Sequence, residues 1–139
     1  RLEPIDAGRW SAGQRMGLGD GTRSGIPKFG LLAPPRNGGA ATVRYFMPWN
    51  CHPTLAVTGS QCLASCLLAP GTVAEGLLPS LPPSPARMQL EHPMGSMEVV
   101  IDFEDDGGEY HIISAGLMRT ARKLASGDVF VPGHVWSGS

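Results

Sequence analysis

The feature that most constrains the fold is one apolar segment bounded by prolines, residues 53–69. Pro53 suits the first turn of a helix, where its missing N–H does no harm, and Pro70-Gly71 ends the segment. Its polar residues recur with helical spacing and form one narrow stripe on an otherwise apolar cylinder. They are Thr54, Thr58, Gln61 and Ser65. The sequence therefore predicts one helix over 53–69 that is enclosed by protein on most sides.

Segments typical of β-strands stand on both sides of this helix, separated by turns rich in Gly and Pro. We predict strands over residues 28–33, 42–47, 87–91, 97–104, 110–114 and 129–131. Residues 115–124 either continue the fifth strand or turn helical. A short helix is predicted ahead of Gly17, and Asp105-Asp106-Gly107-Gly108 is typical of a hairpin turn. The predicted fold class is α+β, with about six largely antiparallel strands around one central helix.

The composition excludes several classes of protein. With 139 residues, 42% of them hydrophobic, residues 1–139 are expected to form a single domain. A net charge of -1 argues against nucleic-acid binding. No apolar run approaches the roughly 20 residues of a membrane span, and no apolar leader follows Arg1, so we expect neither a membrane anchor nor a signal peptide. The three cysteines are an odd number without a CxxC pair, which favours free thiols and a cytoplasmic location.

The start of the central helix carries the clearest chemistry. A helix N-terminus presents unpaired N–H groups and attracts carboxylate or phosphate, and His52 and Thr54 add further donors. The alternative is that Asn50 or the His52 backbone merely caps a structural helix. Cys51 is either an activated thiol or a small buried residue, and we expect Cys62 and Cys66 to be buried. Because Cys51, His52 and His92 lack the spacing of metal ligands, we expect no metal site.

Two further clusters are candidates for binding. In the loop 92–96, His92 and Ser96 offer polar groups and Gly95 permits close approach of a ligand, although a solvated turn explains the same residues. The cations of residues 119–123 either neutralise a polyacid or form a solvated face. Taken residue by residue, the chain is an α+β domain with an anion pocket at the start of one helix.

Six segments in chain order resemble the PrpF family of methylaconitate isomerases and oxalomesaconate tautomerases, in its C-terminal half. They are Met16-Gly17-Leu18, Pro27-Lys28-Phe29-Gly30-Leu31-Leu32-Ala33-Pro34-Pro35, His52-Pro53-Thr54-Leu55-Ala56-Val57-Thr58-Gly59-Ser60-Gln61-Cys62, Pro70-Gly71-Thr72-Val73, His92-Pro93-Met94-Gly95-Ser96-Met97-Glu98 and Arg119-Thr120-Ala121-Arg122-Lys123-Leu124. The resemblance covers nearly the whole chain.

The resemblance implies a diaminopimelate-epimerase-like fold of two similar halves, each a curved sheet around a central helix, with the active site in the cleft between them. It also implies small unsaturated polycarboxylates as substrates and a proton-transfer reaction that needs no cofactor or metal. The substrate-binding residues that it implies are His52, Thr54, Thr58, Gly59 and Ser60, with His92, Gly95 and Ser96 as a lip.

One departure from the family bears on catalysis. The family's acid and base, a Lys and a Cys in a Gly-Asn-Cys-Gly loop, belong to the N-terminal half, and Cys51 does not match that motif. The catalytic residues are therefore unknown. Three hypotheses follow: a C-terminal half that acts with a complementary N-terminal half, a stand-alone module that self-associates or binds a small carboxylate, and a catalytic homodimer that uses Cys51.

Overall fold

The computed structural model describes residues 3–19, 23–47, 49–107 and 110–138. This part of the chain contains two helices and five strands. In chain order they are α1 (Glu3–Arg15), β1 (Phe29–Ala33), β2 (Ala41–Phe46), α2 (Val57–Leu68), β3 (Ala86–His92), β4 (Gly95–Asp105) and β5 (Tyr110–Leu117). The α+β class predicted from the sequence is confirmed.

The five strands form one mixed sheet in the order β1-β2-β3-β4-β5. Three neighbouring pairs are antiparallel, whereas β2 and β3 are parallel, with Ala41 opposite Leu90 and Thr42 opposite Glu91. Parallel neighbours need a long crossover, and here α2 with the loop that follows it supplies the connection. The sheet is thus mostly antiparallel, and α2 lies in the crossover that connects the parallel strands β2 and β3.

The core lies between α2 and one face of the sheet. Alternate residues of the strands point inward, as a strand with one buried face requires. The largest of these are Val43, Tyr45, Met88, Leu90, Met97, Val99, Ile101 and Phe103, and α2 contributes Leu63, Ala64, Leu67 and Leu68. Burial of each leucine contributes about 2 kcal/mol, so the spacing of these residues decides which side of α2 faces the sheet.

The predicted helix over 53–69 begins too early. In the structure α2 starts at Val57, and Ala56 is its N-cap with extended backbone angles (φ -72°, ψ 149°). The reason is local: the N–H of Thr54 donates to the His52 ring, which makes a tight turn that competes with a helical turn. Six of its twelve residues are buried, as expected of a helix with protein on most sides, whereas Val57 and Cys62 are exposed.

The other predicted elements agree with the structure up to the end of β5 and differ from it beyond that point. The helix ahead of Gly17 and the first five strands are confirmed within a few residues, and the fifth continues to Leu117. The hairpin between β4 and β5 is confirmed by their antiparallel pairing, although Gly108 lies outside the described residues. The sixth strand, over 129–131, is wrong: in the described residues beyond Leu117 there is a turn at 133–135 and neither helix nor strand.

Candidate functional site

The N-terminus of α2 is left open to a ligand by its own sequence. The first intrahelical bond runs from the N–H of Ser60 to the Ala56 carbonyl, so the three preceding N–H groups have no acceptor within the helix. Ala56 makes no side-chain cap, and the first turn contains no acidic residue. Val57 is exposed and so is Thr58, whose hydroxyl lies in this turn. A helix terminus of this kind presents N–H groups that can donate hydrogen bonds to an anion.

The loop before α2 places a histidine beside this helix terminus. Nδ1 of the His52 ring accepts a hydrogen bond from the Thr54 N–H at a distance of 3.0 Å, and Thr54 Oγ1 lies 3.2 Å from the same nitrogen. The His52 N–H donates to the Tyr45 carbonyl, which ties the loop to β2. Since Nδ1 is an acceptor, the neutral ring carries its proton on Nε2. Both residues are half-buried.

Two of the predicted contact residues lie inside the protein. Ser60 is 0% exposed, and its hydroxyl donates to the Val57 carbonyl at 2.7 Å. A methyl group built on Gly59 would lie 2.5 Å from Cζ of Tyr45, so the absence of a side chain lets the helix approach β2. Burial raises the pKa of Tyr45, and the nearby Cys62 raises it further. Both residues pack the helix against the sheet, and their backbone belongs to its first turn.

The turn between β3 and β4 repeats the arrangement at His52. The N–H of Met94 donates to Nδ1 of His92 at 3.2 Å, as Thr54 does to His52, so both His-Pro turns use their ring in the same way. Burial lowers the pKa of His92, and the charges of His52 and Arg44 lower it further, while a bond with the Ser96 backbone partly opposes them. His92 is thus a neutral ring at pH 7 and lies within electrostatic range of His52.

The three lip residues line a cavity of about 460 Å³ between the β3–β4 turn and the loop after β1. The described residues around it are Asn37, Gly38, Gly39, Gln89, Glu91, His92, Pro93, Gly95 and Ser96. The eight predicted site residues therefore fall into two groups. His92, Gly95 and Ser96 border this cavity, whereas the five from His52 to Ser60 belong to the start of α2 and the turn before it.

Glu91 is a buried carboxylate beside the cavity that the sequence analysis missed. It is 5% exposed and accepts four hydrogen bonds of 2.8–2.9 Å, from the N–H groups of Arg36, Asn37 and Gly39 and the hydroxyl of Thr42. The bond from Arg36 is the main cause that lowers the pKa of Glu91 to about 2, against the opposing effect of burial. Because its acceptor sites are occupied, Glu91 holds the cavity wall and is not a proton acceptor.

Among the remaining candidates, Cys51 is exposed and its thiol lies 3.7 Å from the carbonyl oxygen of His52. All three cysteines are free, and the prediction of burial is wrong for Cys62, which is exposed, while Cys66 is half-buried. The cations of residues 119–123 are exposed. No group of three His, Cys, Asp or Glu side chains within the described ranges is placed to hold a metal ion. Over the same ranges, no helix has the length and apolar character to cross a membrane.

The comparisons with known proteins agree with the family resemblance. The model of the family described as PrpF protein matches residues 1–132. This chain belongs to the PrpF family. It is 43% identical over 129 residues to the (4E)-oxalomesaconate Delta-isomerase of Novosphingobium, which covers 91% of this chain and 35% of that protein.

Two other members of the PrpF family match over similar lengths. The 4-oxalomesaconate tautomerase of Pseudomonas putida is 39% identical over 138 residues, 99% of this chain and 36% of its own. The putative isomerase YbhH of Escherichia coli is 39% identical over 131 residues, 94% of this chain and 36% of its own. The chain thus spans about a third of the length of these relatives.

Proposed function

We propose that this PrpF-family chain is the C-terminal, substrate-binding part of a cofactor-independent isomerase or tautomerase that moves a proton within small unsaturated polycarboxylates. In this proposal residues 1–139 are one domain, half of a diaminopimelate-epimerase-like fold. Two relatives named for oxalomesaconate support the substrate class. The observation that carries the proposal is the N-terminus of α2, which has no side-chain cap and follows the turn that His52 forms with Thr54.

The geometry suits a ligand with more than one carboxylate. One carboxylate accepts hydrogen bonds from the N–H groups of the first turn of α2. It also accepts hydrogen bonds from the Thr58 hydroxyl and from Nε2 of His52. His92 is neutral, so it offers a hydrogen bond without a second positive charge. The lip at Gly95 and Ser96, with the cavity behind it, then receives the rest of the molecule. In this proposal the acid and base come from a complementary N-terminal half.

A second candidate is a stand-alone module that binds a carboxylate or self-associates. It is favoured by the apolar side chains that this chain leaves exposed, among them Val57 on α2 and Trp49 before it. Light scattering separates the candidates, because the module predicts a stable dimer of the isolated chain. A monomer that gains turnover only when the rest of a PrpF protein is co-expressed with it would support the first proposal.

The binding test compares two variants with one added carboxylate each, at the start of α2 and in the loop that follows it. Ala56→Asp places a carboxylate at the N-cap, where it accepts the N–H groups that the ligand needs. Val73→Asp adds the same charge at a side chain that is 93% exposed, beyond a helix about 18 Å long. We expect Ala56→Asp to weaken binding of oxalomesaconate at least ~10-fold by calorimetry, because the added carboxylate competes for the same donors.

The controls make this result specific. Val73→Asp should leave the affinity within about twofold, since surface substitutions away from a site have small effects. Equal affinities of the wild type and Ala56→Asp, with measurable binding in both, would show that the substrate lies elsewhere. An isolated chain that binds no polycarboxylate at all would remove the support for a binding half.

A further inference from the structure

Tyr45 of β2 brings a second polar group to the first turn of α2. It is 8% exposed, and its ring lies against the helix. A methyl group built on Gly59 would lie 2.9 Å from the Tyr45 hydroxyl oxygen, so the hydroxyl end of the ring reaches the third residue of α2. The Tyr45 carbonyl accepts the N–H of His52, which holds the same residue to the turn before the helix. Tyr45 therefore borders both parts of the start of α2.

The Tyr45 hydroxyl has no hydrogen-bond partner among the described residues. This is unusual, because a tyrosine that is mostly buried normally finds a partner for its hydroxyl. The fully buried polar atoms that lack a partner in this part of the chain belong to Asp6, Arg9 and Tyr110. Since the oxygen of Tyr45 is not one of them, it reaches the surface. The hydroxyl is thus accessible to a ligand at the first turn of α2.

The chemistry of this hydroxyl suits a carboxylate. Burial raises the pKa of Tyr45, and the charge of Cys62 raises it further, so the phenol keeps its proton at neutral pH and donates. The first turn of α2 has no acidic side chain of its own to accept from it. A hydrogen bond to a charged group is stronger than one between neutral groups. The acceptor that fits this donor is therefore a ligand carboxylate held at the same turn.

We propose that Tyr45 is a further substrate-binding residue, whose hydroxyl donates a hydrogen bond to the polycarboxylate ligand at the first turn of α2. The proposal rests on the proposed function, which assigns a ligand carboxylate to that turn. It adds a donor from the sheet to the donors of the helix, so the ligand is held by two elements that the core packs together. Gly59 then has a second role, because its lack of a side chain lets the hydroxyl reach the turn.

The test substitutes each of the two tyrosines of the chain by Phe. Tyr45→Phe removes one oxygen and keeps the ring, and we expect the affinity for oxalomesaconate, measured by calorimetry, to fall at least ~10-fold. Its melting temperature should stay within about 3 °C of the wild type, because no hydrogen bond of the described chain is lost. Tyr110→Phe is the matched control. The Tyr110 hydroxyl is buried without a partner, and its ring stacks on Phe103 at the end of β4 away from His92. Its affinity should remain within about twofold of the wild type.

A spectroscopic measurement separates a ligand contact from an effect on the fold. With tyrosine isotope-labelled at Cζ, the NMR spectrum contains one signal for each of the two rings, and the two Phe variants assign them. Addition of oxalomesaconate should shift the Tyr45 signal, because the ligand accepts from that hydroxyl. The Tyr110 signal should stay in place.

Equal affinities of the wild type and Tyr45→Phe, together with weakened binding by Ala56→Asp, would overturn the role of Tyr45 and leave the proposed function standing. Weakened binding by Tyr45→Phe alone would keep the hydroxyl contact and refute the use of the α2 N–H groups, which belongs to the proposed function. A Tyr45 signal that the bound ligand does not shift would overturn the contact, since the hydroxyl would then act on the fold. A wild-type chain that binds no polycarboxylate would overturn both proposals.

Discussion

Within the described residues, backbone N–H groups come together in the loop after β1 and in the first turn of α2, and a carboxylate occupies the first of these two places. In the loop after β1, the N–H groups of Arg36, Asn37 and Gly39 converge on Glu91. In the first turn of α2, the helix begins at an alanine and has no acidic residue nearby. The same donor chemistry thus closes a loop at one place, and at the other place it is what the proposed function assigns to a ligand carboxylate.

Glu91→Gln should have the largest effect, because it removes the carboxylate from the occupied site. The amide of Gln would bring a second donor against backbone N–H groups that already donate. We expect the melting temperature to fall by roughly 5 °C or more, measured by circular dichroism. Glu98→Gln is the matched control, since Glu98 accepts from the exposed side chain of Arg87 and such surface pairs contribute about 0–1 kcal/mol.

The pH dependence of this difference follows from the pKa of Glu91, about 2 in the folded protein. A carboxyl with a depressed pKa stabilises the fold above its unfolded pKa, near 4.3, and loses that contribution as pH falls toward 2. The gap in melting temperature between wild type and Glu91→Gln should therefore be constant from pH 7 to about 5 and narrow below it. A gap that is constant down to pH 2 would contradict this account of Glu91.

Ala56→Asp adds a carboxylate at the N-terminus of α2, whereas Glu91→Gln removes one from the loop after β1. A carboxylate at the N-cap should raise the free energy of unfolding by about 1 kcal/mol, because it satisfies donors that are free in the wild type. Chemical denaturation measures this gain, and Val73→Asp should change stability by less than about 0.5 kcal/mol. If Ala56→Asp brings no gain in stability, the helix terminus is not the open counterpart of the Glu91 site.

Substitution of His92 should have the smallest of these effects on stability, and the effect should depend on pH. Its pKa is lowered, chiefly by burial, so the unfolded chain binds the proton more readily than the folded chain. Stability from this group is present above about pH 6.5 and declines as pH falls below that value. His92→Gln should flatten the melting-temperature profile between pH 7 and 5. An unchanged slope would mean that the ring is not held neutral beside His52.

The sequence predicted the elements of the fold better than their ends and neighbours. The strands and the end of the central helix follow from local signals, β-branched runs and Pro70-Gly71. The start of α2 was missed because the bond from Thr54 to the His52 ring competes with the helix. Glu91 was missed because its partners lie 49–55 residues away and depend on the parallel pairing of β2 and β3.

The candidate site was likewise predicted only in part, because some of its features depend on residues that are distant in the sequence. The sequence indicated an anion site near His52, and the structure shows open donors at the end of α2, four residues later than expected. It also singled out His92, but not its lowered pKa, which results chiefly from burial in the folded chain and to a lesser extent from the charges of His52 and Arg44. Residues 129–131 have the pattern of a strand and yet form none, because a strand needs a neighbour that these residues lack in the described chain.

The sequence by itself determined the α+β class, the apolar faces and the family, because these depend on residue types at short spacing. Only the tertiary structure decided which donors are occupied and which are open. Glu91 reaches the loop after β1 through the pairing of β2 with β3, while the first turn of α2 contains no acidic side chain of its own. The physical reason is that hydrogen-bond satisfaction is a property of neighbours in space, which local sequence does not specify.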